Sequence, residues 1–304
     1  MINGPVVKEE PLTPEDLIIE GDVEAGSQPI RSEGKILIKG SVLAYARVEA
    51  EKDIYIKGDV VHATVISKSG SIKIDGVVRG NLSYVSAFGN LQSKTILEGA
   101  TVEAKGIILV EGSVLESTVV SWRRVYLKNP GAMIGGKLQG DDYMELSIAK
   151  PGEQKETELV LKSLLLKEIY KWIVKIDEEI SEIETQSAKL QRAIELVRIL
   201  GDAALRLPPE KKAELASQIK RKLELDQRKE ELLKRKVNML EKARILKEMD
   251  RRIVVTEKVE PGVKVNIEGS TNTVVFPWDG AVFVKRGIIL IKKLDPLLYQ
   301  EVAL

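Results

Sequence analysis

Valine or isoleucine recurs at every sixth position through much of the first 120 residues, at Ile36, Val42, Val48, Ile54, Val60, Ile66, Ile72 and Val78, then at Ile96, Val102, Ile108, Val114 and Val120. Two places before most of them stands a small residue, as at Gly34, Gly40, Ala46, Gly58, Gly70 and Gly76. A six-residue unit cannot bury its own aliphatic. Three units closing one triangular coil can, because each coil stacks its side chains on the coil before. The spacing therefore predicts a single-stranded parallel β-helix with a true repeat of 18 residues. In the clearest rungs, Gly34-Lys-Ile-Leu-Ile-Lys-Gly40, Asp53-Ile-Tyr-Ile-Lys-Gly58 and Gly70-Ser-Ile-Lys-Ile-Asp-Gly76, a second inward aliphatic follows at Ile38, Ile56 and Ile74. That alternation is the period of a strand with one buried face, and glycine after it suits the turn. Between Gly80 and Lys94 the register slips: Tyr84 and Asn90 stand where aliphatics are due, with Val85 and Leu91 one place later. The slip predicts a one-residue bulge.

From about Glu156 the period changes to alternating steps of three and four. Leu159, Leu166, Ile169, Ile173, Ile176, Ile180, Ile183, Leu190, Ile194 and Val197 fall on it, the signature of a coiled-coil seam. Gly201 to Pro209 breaks this helix, and Pro208-Pro209-Glu210 suits the start of another that runs to about Arg252. Its main apolar stripe is Ile219, Leu223, Leu233, Val237, Leu240 and Leu246. A short connection makes the two helices antiparallel. Period-two alternation returns at Ile253–Val255, Pro261–Ile267, Thr273–Phe276 and Gly287–Ile291, strands that would pack on or extend the end of the β-helix.

The fold class expected is thus mixed: a parallel β-helix, an inserted antiparallel coiled-coil hairpin and a C-terminal β segment. The expected divisions are an arm and partial first rung over 1–33, β-helix over 34–152, hairpin over 153–252 and β segment over 253–304. Pro5, Pro11 and Pro14 mark the arm as aperiodic.

Composition narrows the chemistry. A formal charge of +1 supplies no global field for nucleic acid or an anionic membrane, and no apolar run approaches the length of a membrane span. With no cysteine and no basic-then-apolar leader, a cytoplasmic location is expected. The six-residue period suggests left-handed β-helix acyltransferases, which use a histidine base. The chain has one histidine, His62, inside a rung and with no visible partner for a base, so no catalytic residue is assigned. Asp141-Asp142 and Asp177-Glu178-Glu179 read as a turn and a solvated helix face rather than metal ligands. Arg123-Arg124, Lys220-Arg221-Lys222 and Arg251-Arg252 read as charged surface. Neither a cofactor nor a metal is expected. Leu225, Leu232 and Met239, seven residues apart beside the main stripe, either form an exposed docking face or broaden the hairpin core.

The order of Gly-x-Ile-x-Ile-x-Gly rungs, a long helical hairpin and a β segment with Pro261-Gly-Val-Lys-Val-Asn-Ile267 resembles the flagellar assembly protein A family. Ile134-Gly-Gly-Lys137 and Thr157-Glu-Leu resemble that family's exit from the β-helix into its hairpin. The likeness runs from Gly34 to Ile291, and the family's usual folded N-terminal region has no counterpart ahead of the rungs. It implies a bacterial, non-enzymatic scaffold or adaptor in flagellar assembly or placement, with protein partners. The chain is also similar to bactofilins and to the C-terminal domain of the division inhibitor MinC, β-helices that self-associate. That similarity implies a right-handed coil and a possible homo-oligomer, with a self-associating polymer as the alternative function.

Overall fold

The computed structural model describes residues 7–200 and 208–294. It falls into two compact units, Met1–Ser163 with Asp250–Leu304, and Leu164–Met249.

The first unit is a parallel solenoid with three faces. On one, Ile36, Ile54, Ile72, Leu91, Ile108, Val125, Met144 and Ile253 are successive ladder partners. The second face runs Val23, Val42, Val60, Val78, Ile96, Val114 and Met133. The third runs Ile30, Val48, Val65, Val85, Val102, Val119, Leu138, Leu159 and Val265. Nearly all of these are fully buried, so each aliphatic contacts its homologue one coil above and below in one continuous core. The doubled stripe is real: Ile38, Ile56 and Ile74 are buried beside Ile36, Ile54 and Ile72.

The third face departs from a strict period of six. Arg47 pairs with Thr64, one residue short of a full repeat, so Val65 rather than Ile66 turns inward, and likewise Val119 rather than Val120. The slip near Tyr84 has the same origin: Thr64 pairs with Tyr84, twenty residues on, and Tyr84 with Thr101, seventeen on. The extra residues lie in the turn before Tyr84, and a separate irregularity falls between Ser93 and Thr95. Val85 and Leu91 fill the core positions.

The small residues have a specific cause. At two corners, an Asp, Ser or Asn side chain of one coil accepts a backbone N–H of the next. Asp22 Oδ1 takes Ser41 N–H, Ser41 Oγ takes Asp59 N–H and Asp59 Oδ1 takes Val77 N–H. Asp53, Ser71 and Asn90 do the same for Ser71, Asn90 and Ile107. These acceptors occupy the space a Cβ would need at Gly40, Gly58 and Gly76, and at Gly70, Gly89 and Gly106. Asn90 is therefore a corner cap rather than a displaced core residue.

The first coil begins at Leu17–Ile19, which pairs with Ile36–Ile38, well ahead of Gly34. The described part of the arm lies against the solenoid. Glu9 bonds Lys57 and Lys73, which hold its carboxyl below the usual range, while Glu10 bonds Lys35. At the other end, Thr157–Leu161 pairs in parallel with both Gly136–Gly140 and Lys264–Ile267. Leu159 therefore belongs to the solenoid core and not to the helical seam, and the first helix starts only at Leu164.

After the insertion, Arg252–Val259 and Lys264–Ile267 continue the parallel ladders, and then the direction reverses. Ser270–Thr273 covers Lys264–Ile267 and Trp278–Arg286 covers Arg252–Val259, both antiparallel. Ile288–Lys293 adds an outer antiparallel strand. This cap occupies the main-chain edge that the last coil would otherwise expose. Sequence reading placed a strand at Thr273–Phe276 and missed the one at Trp278–Arg286, whose apolar residues are split by Asp279 and Gly280.

Where the chain leaves and re-enters the solenoid, charges are buried. Arg251 donates to the main-chain oxygen of Asp141 at 3.1 Å and pairs with its carboxylate at 3.3 Å. Arg251 also reaches Glu268 at 3.0 Å, and Glu268 accepts the N–H of Ser163. The arrangement ties residues on both sides of the insertion to one coil.

Candidate docking surface

The second unit consists of α1 (Leu164–Leu200) and α2 (Pro209–Glu248). Pro209 opens α2, where its missing N–H costs nothing, and Arg198 and Lys247 place positive charge in the last turns. The described part of the helix break begins at Pro208, and the side chain of Val197 lies outside the described residues.

The helices run antiparallel, because their cross-links descend on one as they rise on the other. Asp177 meets Lys236, Glu184 meets Lys229 and Ser187 meets Asp226. Between them Ile169 and Ile173 pack with Ala243, and Ile176 and Ile183 with Leu232. Leu166, Ile180, Leu225, Met239 and Leu246 border the same seam. Asp226 is held below the usual carboxylate range, chiefly by its hydrogen bond from Lys222. Exposed pairs of this kind contribute about 0.2–1 kcal/mol each, so they set register while the apolar seam supplies most of the stability.

This corrects the candidate docking residues. Leu232 is only 2% exposed, and Leu225 and Met239 pack beside it, so all three face α1. Of the residues expected as the main stripe, Leu246 packs in the seam, whereas Ile219, Leu223, Leu233, Val237 and Leu240 are exposed, Val237 by 64%. Two seven-residue stripes coexist on α2, and periodicity alone does not say which one the sister helix covers. The charges could have said so. Lys229 and Lys236 flank the 225–232–239 stripe and match acids on α1. On α1, Trp172 is also exposed, with Lys175 and Arg235 over its ring.

Most of the other charged candidates are paired within the fold. The acidic run at 177–179 pairs across the hairpin through Lys236 and Arg228. Asp142 is bound twice by Arg124, and Asp141 lies under Arg251 with its carboxyl raised by burial. Arg252 pairs with Asp250 and Lys222 with Asp226. No cluster of three or more potential metal ligands occurs among the described residues. His62 has φ +50° and its imidazole lies where a Cβ on Gly80 would be, its buried Nδ1 without a hydrogen-bond partner among the described residues. It lines a groove of about 520 Å³ with Glu98, Glu116 and Lys155. Glu116 is committed there to the N–H groups of Gln154 and Lys155. Among the described residues no carboxylate orients the imidazole as a base would require. No helix among the described residues is long and apolar enough to cross a membrane.

A parallel β-solenoid interrupted once by a long helical hairpin and closed by an antiparallel cap defines the class of this protein. The family described as Flagellar Assembly Protein A beta solenoid domain matches residues 15–288, and the chain belongs to it. Comparison with curated proteins and with solved structures gives no match.

Proposed function

We propose that the protein is a non-enzymatic cytoplasmic scaffold or adaptor in bacterial flagellar assembly or placement, and that the hairpin engages its protein partner. The family match over residues 15–288 carries the reading. The site chemistry supports it: Asp141, Asp142, Asp177, Glu179, Arg124, Lys222, Arg251 and Arg252 are paired internally, and α2 carries a run of exposed aliphatics. Surfaces of that kind mark protein docking rather than catalysis.

The test is genetic. Deleting the gene should reduce or misplace flagella counted by electron microscopy, and both the unaltered chain and His62→Ala at equal abundance should restore them. Normal flagella in the deletion strain would refute the flagellar role. Failure of His62→Ala at full abundance would refute the non-enzymatic one.

A further inference from the structure

The open stripe of α2 has a pattern that selects its occupant. Leu233, Val237 and Leu240 follow steps of four and three, and the same steps continue to Glu230 on one side and to Arg244 and Lys247 on the other. Lys234 and Glu241 border the stripe along one flank. Among the described residues Glu230 and Lys234 have no ion-pair partner. Among the described residues Arg244 pairs with exposed Glu241 and Glu248 of its own helix, a weak arrangement that can be exchanged. The stripe is thus acidic at one end, apolar in the middle and basic at the other.

We infer that α2 docks through this stripe on α2 of a second copy of the chain, antiparallel about a two-fold axis near Val237. Leu233, Val237 and Leu240 then meet Leu240, Val237 and Leu233 of the other copy, an isologous apolar patch. Glu230 comes opposite Arg244, and Lys234 opposite Glu241, each pair occurring twice by symmetry. A parallel arrangement places Glu230 on Glu230 and Arg244 on Arg244, like charges that disfavour it. The apolar middle supplies affinity and the end charges fix direction.

The absence of cysteine allows single labelling sites in the full chain. In analytical ultracentrifugation the full chain should dimerise, and Val237→Glu should raise the dimer dissociation constant by roughly a hundredfold. Because Val237 is already exposed within the hairpin, circular dichroism should not change. Lys234→Glu and Glu241→Lys should each weaken the dimer, and the double exchange should restore it. Spin labels at Val237→Cys should lie close together. Labels at Ala213→Cys should be roughly 70–80 Å apart, from the 1.5 Å rise per residue. A chain monomeric at 100 μM, a dimer indifferent to Val237→Glu, a double exchange no better than the single ones, or short separations at both label sites would each overturn the proposal. These readouts need no flagellar phenotype, so they stand or fall apart from the proposed function.

Discussion

Arg251→Ala should destabilise the solenoid by about 3–5 kcal/mol, because it leaves the carboxylate of Asp141 buried without its cation. Both side chains are under a tenth exposed, so solvent does not replace the lost partner. Arg251 also links Asp141 to Glu268, and Glu268 in turn accepts the N–H of Ser163. Loosening one group therefore loosens both ends of the insertion. The melting temperature, measured at fixed scan rate, should fall by roughly 10 °C.

The pH dependence of that loss has a definite sign. Burial holds the Asp141 carboxyl above its ordinary value of 3.8, against the opposing effects of Ser163 and Arg251. Removing Arg251 raises it further. A carboxyl whose folded-state pKa exceeds its unfolded value binds its proton more tightly in the folded chain, so its cost is complete above the folded pKa. The cost fades as the pH falls from there toward 3.8. The variant should be most defective at neutral pH and recover toward the parent as the pH falls toward 3.8, and adding Asp141→Asn should reverse part of the loss at neutral pH. A defect that does not vary with pH, or one that deepens on acidification, would assign the loss to packing instead.

Ile54→Ala should cost about 2–5 kcal/mol, and Ile66→Ala less than about 1 kcal/mol. Both residues fall on the same six-residue period, yet Ile54 is fully buried between Ile36 and Ile72 while Ile66 is displaced from the core by Val65. Urea denaturation of the two variants side by side separates the ladder register from the bare period. Equal losses would mean that the third face keeps the uncorrected period.

The solenoid was legible in the sequence because its core is a repeat. Each stacked position must hold a similar aliphatic, and one substitution pattern is written many times over. The cap and the corners were harder to read. The dipeptides Gly40-Ser41, Gly58-Asp59, Gly70-Ser71 and Gly89-Asn90 already carry the corner signal, a small residue followed by a short acceptor. Reading the glycines only as turn residues hid it. Trp278–Arg286 was missed because antiparallel capping strands answer to the edge they cover and not to the coil period.

The hairpin shows a different limit. Its existence follows from three-and-four spacing, but α2 carries two stripes, and an interhelical contact decides between them. Ala243, a small residue opposite Ile169 and Ile173, belongs to the buried one and is invisible to a search for large aliphatics. The exposed stripe of Leu233, Val237 and Leu240 then becomes informative, as the apolar surface on which the proposed self-association rests. His62 has no partner for a base legible in the sequence, and its place over Gly80 supplies a packing reason for its presence.

The proposed function requires a solenoid that folds on its own ladders and a hairpin that engages the partner. Its most direct test replaces Leu164–Met249 by a short flexible linker, cutting at the unit boundary so that Thr157–Leu161 and Arg251 remain. The shortened chain should keep a β-rich circular dichroism spectrum and a cooperative melt while failing to restore flagella in cells that lack the gene. A shortened chain that stays folded at full abundance and restores normal flagella would contradict the account.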